Sequence, residues 1–294
     1  MRDGCRRVRR GWVIGAMMLV LTGGLRAADQ VLPGTAPLTV GQPLDEVMVE
    51  GLGRHCRREL AASRDRRAAR WQRDYASVQA YAASIAGNRE RFRALIGAVD
   101  PRLTAAQPDR CRFELLSSLD RSSVVARTSR VTVHAVRWTV LHGVNAEGLL
   151  LVPETIRAGV VALPDADWTP EMFCGVRDGL PAQGQFVRRL AAAGCLVAIP
   201  TLISRSDELS GSPHVAYTNQ PHREFIYRQA FEMGRHVIGY EVQKVLAAVD
   251  LLEQLARSPF VRRERDGSFA ERTATLPIGV AGVGEGALLA LYSA

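Results

Sequence analysis

The sequence predicts an α/β fold: a mostly parallel sheet that opens with an antiparallel hairpin and is preceded by a helical N-terminal region. Three observations carry this. Residues 131–141 and 147–152 are dense in β-branched and apolar side chains on either side of a turn-forming His142-Gly143-Val144-Asn145, the pattern of two paired strands. From Gly159 onward, short apolar runs alternate with segments of helical periodicity, which calls for parallel strands joined by crossover helices. Finally, residues 276–294, LPIGVAGVGEGALLALYSA, read as a buried strand passing through a glycine bend into a helix.

The first residues have a separate purpose. Arg2, Arg6, Arg7, Arg9 and Arg10 precede an apolar run over 12–21 and then small residues ending in Ala27-Ala28, the three-part layout of a secretory signal over 1–28. The run is too short for a permanent span, so the expectation is cleavage after Ala27 or Ala28, no stable membrane span, and a secreted or periplasmic protein of a bacterium. An uncleaved amphipathic anchor is the alternative. This leader holds six arginines and one aspartate, so it accounts for +5 of the formal +8. Lys244 is the sole lysine among 38 basic residues, a bias better explained by codon usage than by phosphate binding. With no basic face interleaved with aromatics and no known module, nucleic acid is not an expected partner. Cys56, Cys111, Cys174 and Cys195 follow the leader with no metal-ligand spacing. Export permits disulfides, and Cys56 with Cys111 is the favoured pair. No metal or other cofactor is implied.

Residues 29–45, rich in Pro and Gly, form a linker. A helical region over 46–110 comes next. One helix is expected from Glu46 to about Ala86, ended by Gly87-Asn88, with Asn88 capping a second helix whose stripe is Phe92, Leu95, Ile96 and Val99. The arginines of 64–73 suit a solvated helix face. The remainder, 111–294, contains the hairpin, a strand over 159–164, a helix over 183–193, a strand over 195–200, and a long helix over 238–255 with the stripe Val242, Val245, Leu246, Val249 and Leu252. Segment 206–235, carrying His214 and His222, is expected to form a cap over the sheet. His134 and His142 belong to the hairpin. Arg235-His236 places positive charge at a helix start, against the helix dipole, and so asks for a carboxylate or ligand nearby.

The bend Gly282-Val283-Gly284-Glu285-Gly286 has the spacing of a nucleophile elbow, G-x-S-x-G. Together with VTVHAVRWTVLHGVNAEGLLLVPE, GVVALPDADW and GRHVIGYEVQKVLAAVDLLE, it resembles the α/β-hydrolase superfamily, and more loosely its acetyl-xylan-esterase and dienelactone-hydrolase branch. The resemblance covers roughly residue 130 onward. It implies a hydrolase or esterase site at the carboxyl ends of the strands, with backbone amides of Ala166 and Glu285 as oxyanion donors. The chain departs from it at the decisive place, because Gly284 stands where the superfamily carries Ser, Cys or Asp. A shifted register would put Glu285 at the tip.

Three readings stay open at this stage. The chain is an exported relative of carbohydrate and acyl esterases that is catalytically degenerate; or an active carboxylic-ester hydrolase with another nucleophile, Glu285 being the local candidate; or a non-enzymatic module binding a polysaccharide or acyl ligand. Binding residues in each are Asp165, Ala166, Asp167, Trp168 and Glu285, with a small-molecule or carbohydrate ester as ligand. Asp165 and Asp167 admit a paired-carboxylate reading, although adjacent loop aspartates more often make turns. Trp168 and Trp138 could stack on a sugar. The superfamily's later acid and histidine would follow the elbow. The expectation is therefore a partial fold, a fragment of a longer protein whose elbow strand lies at a sheet edge for an oligomer or partner to cover.

Overall fold

The computed structural model describes residues 33–36, 38–208, 220–257, 261–263, 269–271 and 276–294, over 261–263 and 269–271 by backbone alone. The leader expected over 1–28 and His214 lie outside these residues. The chain divides into two compact units, one up to Ala69 and one from Arg70.

In the first unit, α1 (Leu44–Ala68) carries Asp45 and Glu46 in its first turn and Arg66 and Arg67 in its last, each complementing the dipole. None of its residues is buried. It ends well before the expected Ala86. The second unit starts with α2 (Val78–Leu95), because Ser77 adopts an extended conformation and accepts from the Ala80 amide at 3.0 Å. Gly87 and Asn88 therefore sit inside α2 instead of ending a helix, and Asn88 donates from Nδ2 to the Arg70 carbonyl at 3.0 Å. A serine cap outweighs a single helical glycine, which costs only about 1 kcal/mol.

After α3 (Leu103–Ala106) the sheet begins, with β1 (Glu114–Leu115), β2 (Val124–Arg127), β3 (Val131–Leu141), β4 (Val144–Pro153) and β5 (Ala158–Leu163). Then come α4 (Pro170–Phe173), α5 (Phe186–Ala192), β6 (Cys195–Pro200), α6 (His222–Glu232), α7 (Val237–Arg257), the small hairpin of β7 (Val261–Arg263) with β8 (Phe269–Glu271), β9 (Ile278–Gly282) and α8 (Glu285–Ser293). The main sheet has the order β1-β3-β4-β6-β5-β9, with β2 also on β3. The pairs β6·β5 and β5·β9 are parallel, and the β3–β4 hairpin joins them antiparallel through β4·β6. This is the expected α/β arrangement. β9 forms an edge among the described residues. The hairpin turn is tighter than expected: Leu141 pairs with Val144, and Asn145 already pairs with Thr139.

Helices cover both faces. On one, α7 packs Val242, Val245, Ala248, Leu251 and Leu252 against Trp138, Val161, Leu163 and Leu196; on the other, Phe173, Val187 and Ala191 of α4 and α5 meet Leu149, Leu151, Val197 and Ile199. Polar staples hold the stretch after α2 to α7. Arg235 donates to both oxygens of Asp100 (2.7 and 3.2 Å), which supplies the carboxylate that the Arg235-His236 charge required. Gln243 reaches the carbonyls of Ala98 and Asp100, and Asp250 accepts from Arg102 and Thr104. Gly97 and Gly239 allow this approach, since a Cβ on either would meet the other segment's backbone.

Cysteine behaviour departs from expectation. All four described cysteines are free thiols, Cys56 exposed and Cys111 buried in the core. Burial pushes the thiols of Cys111, Cys174 and Cys195 up, as for inert core sulfhydryls. No described helix is long and apolar enough to cross a membrane.

Burial, reinforced by the Arg223 charge, pulls the His236 imidazole below its usual range, and burial followed by Arg127 does the same for His134. His236 Nδ1 accepts from the Ile238 amide at 3.0 Å, a contact that protonation of that nitrogen abolishes. The folded chain thus binds fewer protons than the unfolded one. This contribution is whole above about pH 6.5 and is lost as pH falls through the depressed value. Urea denaturation is expected to show stability declining from about pH 7 to about pH 5, with a shallower decline in His236→Asn.

Candidate functional site

The carboxyl ends of β5, β6 and β9 bring three loops together, where sites form in parallel sheets. The last of these loops is very short. β9 stops at Gly282 and α8 begins at Glu285, so Val283 and Gly284 make the whole reversal. Gly284 has φ 58° and ψ −126°, a conformation that strains any residue bearing a Cβ. Its flanking glycines answer a different need. A Cβ on Gly282 would strike the Gly286 backbone, and one on Gly286 would strike the carbonyls of Leu163 and Pro164. The first turn of α8 is thereby pressed onto the end of β5, with the Val283 amide donating to Leu163 O at 3.1 Å.

That closeness seats Asp165 over the bend. A Cβ built on Gly284 would lie 2.6 Å from Cγ of Asp165 and nearer still to its Oδ2. The elbow position therefore lacks a side chain, and the volume one would need is filled by a carboxylate. Asp165 Oδ1 accepts from the Ala166 amide at 2.7 Å, so the expected oxyanion donor is engaged by its own chain. The Asp165 carbonyl accepts from the Trp168 amide at 3.0 Å, the turn role expected of a loop aspartate.

Arg205, from the loop after β6, joins the three loops. Its guanidinium lies 2.7 Å from Asp167, 2.7 Å from Glu285 and 3.4 Å from Asp165. Asp165 and Asp167 consequently share one arginine and do not form the free acid/base pair that glycoside chemistry needs. Burial opposes the Arg205 charge, yet the Asp167 hydrogen bond and the fields of Asp167, Glu285 and Asp165 together raise its pKa above the ordinary arginine value. Glu285 is also bound by Arg223 of α6. Arg223 donates to the Ile203 carbonyl at 2.8 Å and lies 3.5 Å from Glu241, whose side chain is wholly buried on α7. Glu241 accepts from the Ile203 amide at 2.6 Å, and its other oxygen, with no aligned hydrogen bond, faces Lys244 Nζ at 2.8 Å. Charges thus alternate from Asp167 through Arg205, Glu285, Arg223 and Glu241 to Lys244.

Of the predicted residues, Asp165, Ala166, Asp167 and Glu285 meet at this site. Trp168 is half-buried and packs against Phe173 at 6.1 Å between ring centroids. Trp138 cannot meet a sugar: it is fully buried, edge-on to Phe113, with its indole N–H donating to the Lys244 carbonyl. His134 lies across the sheet beside Ser123. His222 Nδ1 lies 2.9 Å from Ser204 Oγ, a contact that ties the loop after β6 to α6. Sequence reasoning missed Arg205, Arg223, Glu241 and Lys244 as parts of one network. A signal for two of them was present, since Glu241 falls on the apolar stripe of α7 and the sole lysine follows three residues later. No cluster of three or more metal-ligating side chains occurs among the described residues.

No protein family matches the sequence, and no curated protein is similar to it in sequence. Solved structures do show likeness. A candidate acetyl xylan esterase from Bacteroides fragilis is 12% identical over 76% of this chain and 53% of its own, with a TM-score of 0.45. Acetyl xylan esterase 1 from Thermoanaerobacterium is 13% identical over 71% and 53%, with a TM-score of 0.34. A CE15 glucuronoyl esterase from Teredinibacter turnerae is 16% identical over 74% and 49%, with a TM-score of 0.37. The chain spans about half the length of these structures. Scores and identities this low carry no inference about chemistry.

Two outcomes follow from this geometry. Removing Arg223 takes from Glu285 and Glu241 one of the two cations each faces, leaving Arg205 on the first and Lys244 on the second, in a site where both carboxylates are largely or wholly buried. Arg223→Ala is expected to cost about 1.5–3 kcal/mol of stability in urea denaturation, the loss of charge-assisted hydrogen bonds with a second cation still on each carboxylate. Gly284→Ser adds both backbone strain and a clash with Asp165, and is expected to cost about 1–3 kcal/mol. Asp165→Gly in the same chain should recover part of that cost, a non-additivity that thermal melts of the two single variants and the double variant would measure.

Proposed function

We propose that this chain is an exported α/β-hydrolase-like protein, related to carbohydrate and acyl esterases, whose elbow holds a ligand without attacking it. One observation carries the reading: the side-chain space above Gly284 is occupied by the Asp165 carboxylate. Covalent ester hydrolysis needs a nucleophile within reach of a base and of oxyanion donors. Here the bend offers no attacking atom, and the Ala166 amide already donates to an anion. Glu285 is a poor substitute, since two guanidiniums draw charge from its carboxylate and fix its position. Asp165, Ala166, Asp167, Trp168 and Glu285 then act as binding residues toward a carbohydrate or acyl ester, with Arg205 setting their geometry.

The test pairs turnover with binding. Purified full-length product is incubated with p-nitrophenyl acetate and with acetylated xylan, and binding of the xylan is followed by calorimetry. The expected result is no hydrolysis above the uncatalysed rate, together with saturable binding weakened by Arg205→Ala. Hydrolysis that disappears in Glu285→Gln or in Ser204→Ala would overturn the reading, the first by assigning attack to the elbow and the second to the neighbouring hydroxyl. Export is checked separately, by N-terminal sequencing of the periplasmic or secreted product, which should begin at Ala28 or Asp29.

A further inference from the structure

A cavity lies away from the strand carboxyl ends. It measures about 600 Å³, within the usual range for small-molecule sites. Register places it toward the other end of the sheet: Val131 and Val133 open β3, Leu151 pairs with Val197 early in β6, and Ala191 and Ala192 close α5 just before β6 starts. Its floor is apolar and buried, made by Val133, Leu151, Cys174 and Ala191. At its mouth Val176 keeps 40% of its surface exposed, an apolar side chain with no described partner in the core.

The rim has the opposite character. Arg130, Arg188 and Arg189 all line the cavity, and no acidic side chain does. Elsewhere the chain pairs its arginines readily, as at Arg93, Arg102, Arg137 and Arg235. These three make no ion pair among the described residues; Arg188 donates only to the Gln185 amide oxygen, at 2.9 Å. Three guanidiniums with no ion-pair partner among the described residues, set around an apolar floor, describe the complement of one kind of molecule. Its body is an unbranched apolar chain that fills the floor, and its head is an anion able to take the planar two-pronged hydrogen bonds of arginine.

We propose that this cavity binds a single-chain amphiphile with an anionic head, a carboxylate or a phosphate monoester. The site is independent of the elbow and of any ligand there. Burial leaves the Cys174 thiol protonated at its base, so the floor contributes packing and no charge. Specificity then comes from the rim: a cationic head of the same chain length meets three like charges, and a neutral head forfeits the charge-assisted bonds.

Calorimetry on the full chain tests this with decanoate, monodecyl phosphate and decyltrimethylammonium, each kept below its micelle concentration. Decanoate, monodecyl phosphate or both are expected to bind at one saturable site, with the ammonium compound weaker by about tenfold or more. Whichever anion binds more tightly identifies the head group as a fatty acid or a phospholipid fragment. Arg188→Ala/Arg189→Ala should weaken the tighter anion by about tenfold or more. Ala192→Trp, which adds bulk at an exposed lining position, should weaken it comparably, while thermal melts of both variants match the parent chain. The proposal is overturned by absence of saturable binding, by equal affinity for the cationic amphiphile, or by binding that neither variant alters.

Discussion

The contact of Gly286 with the carbonyls of Leu163 and Pro164 governs the arrangement at the strand ends. Because no side chain intervenes, α8 starts directly on the end of β5, and the loop leaving β5 must pass over the bend. Asp165 is the second residue of that loop, so its carboxylate arrives above Gly284 as a matter of chain path. Arg205 then finds three acids converging from two loops, and Glu285 finds Arg223. A backbone approach of a few ångströms, permitted by glycine, thus determines which charges meet.

Around that contact the protein resolves its charges internally. Arg223 and Glu241 are nearly or fully buried, and ions so placed persist only when paired and hydrogen-bonded. The Ile203 backbone serves both, its carbonyl accepting from Arg223 and its amide donating to Glu241. The loop after β6, α6 and α7 are in this way locked to one another and to α8. Such a lattice holds these elements in one fixed arrangement around the bend.

Much of this was legible in the chain itself, and the failures have physical causes. The apolar stripe of α7, the alternation of strands and helices, and the glycine bend are local patterns, and each appears where its periodicity placed it. The break between α1 and α2 was hidden because Ala and Arg continue through it; only the Ser77 cap decides it. Gly87 misled, since a helical glycine and a terminating one look alike without their neighbours. At the site, Gly284 and its loop partners could be read, but the Asp165 contact joins residues more than a hundred positions apart, and no spacing rule encodes it. The pairing of Arg205 with Glu285 is long-range in the same way.

The described charges are also unevenly spread. At the carboxyl ends of the strands, Asp165, Asp167, Glu241 and Glu285 outnumber Arg205, Arg223 and Lys244 by one, while the cavity toward the amino ends is lined by three arginines and no acid. The two places therefore differ in local charge, the elbow cluster being paired within itself and the cavity rim positive. An anionic molecule would meet attraction at the arginine rim and an internally neutralised cluster at the elbow, so that local charge alone sorts what each end encounters.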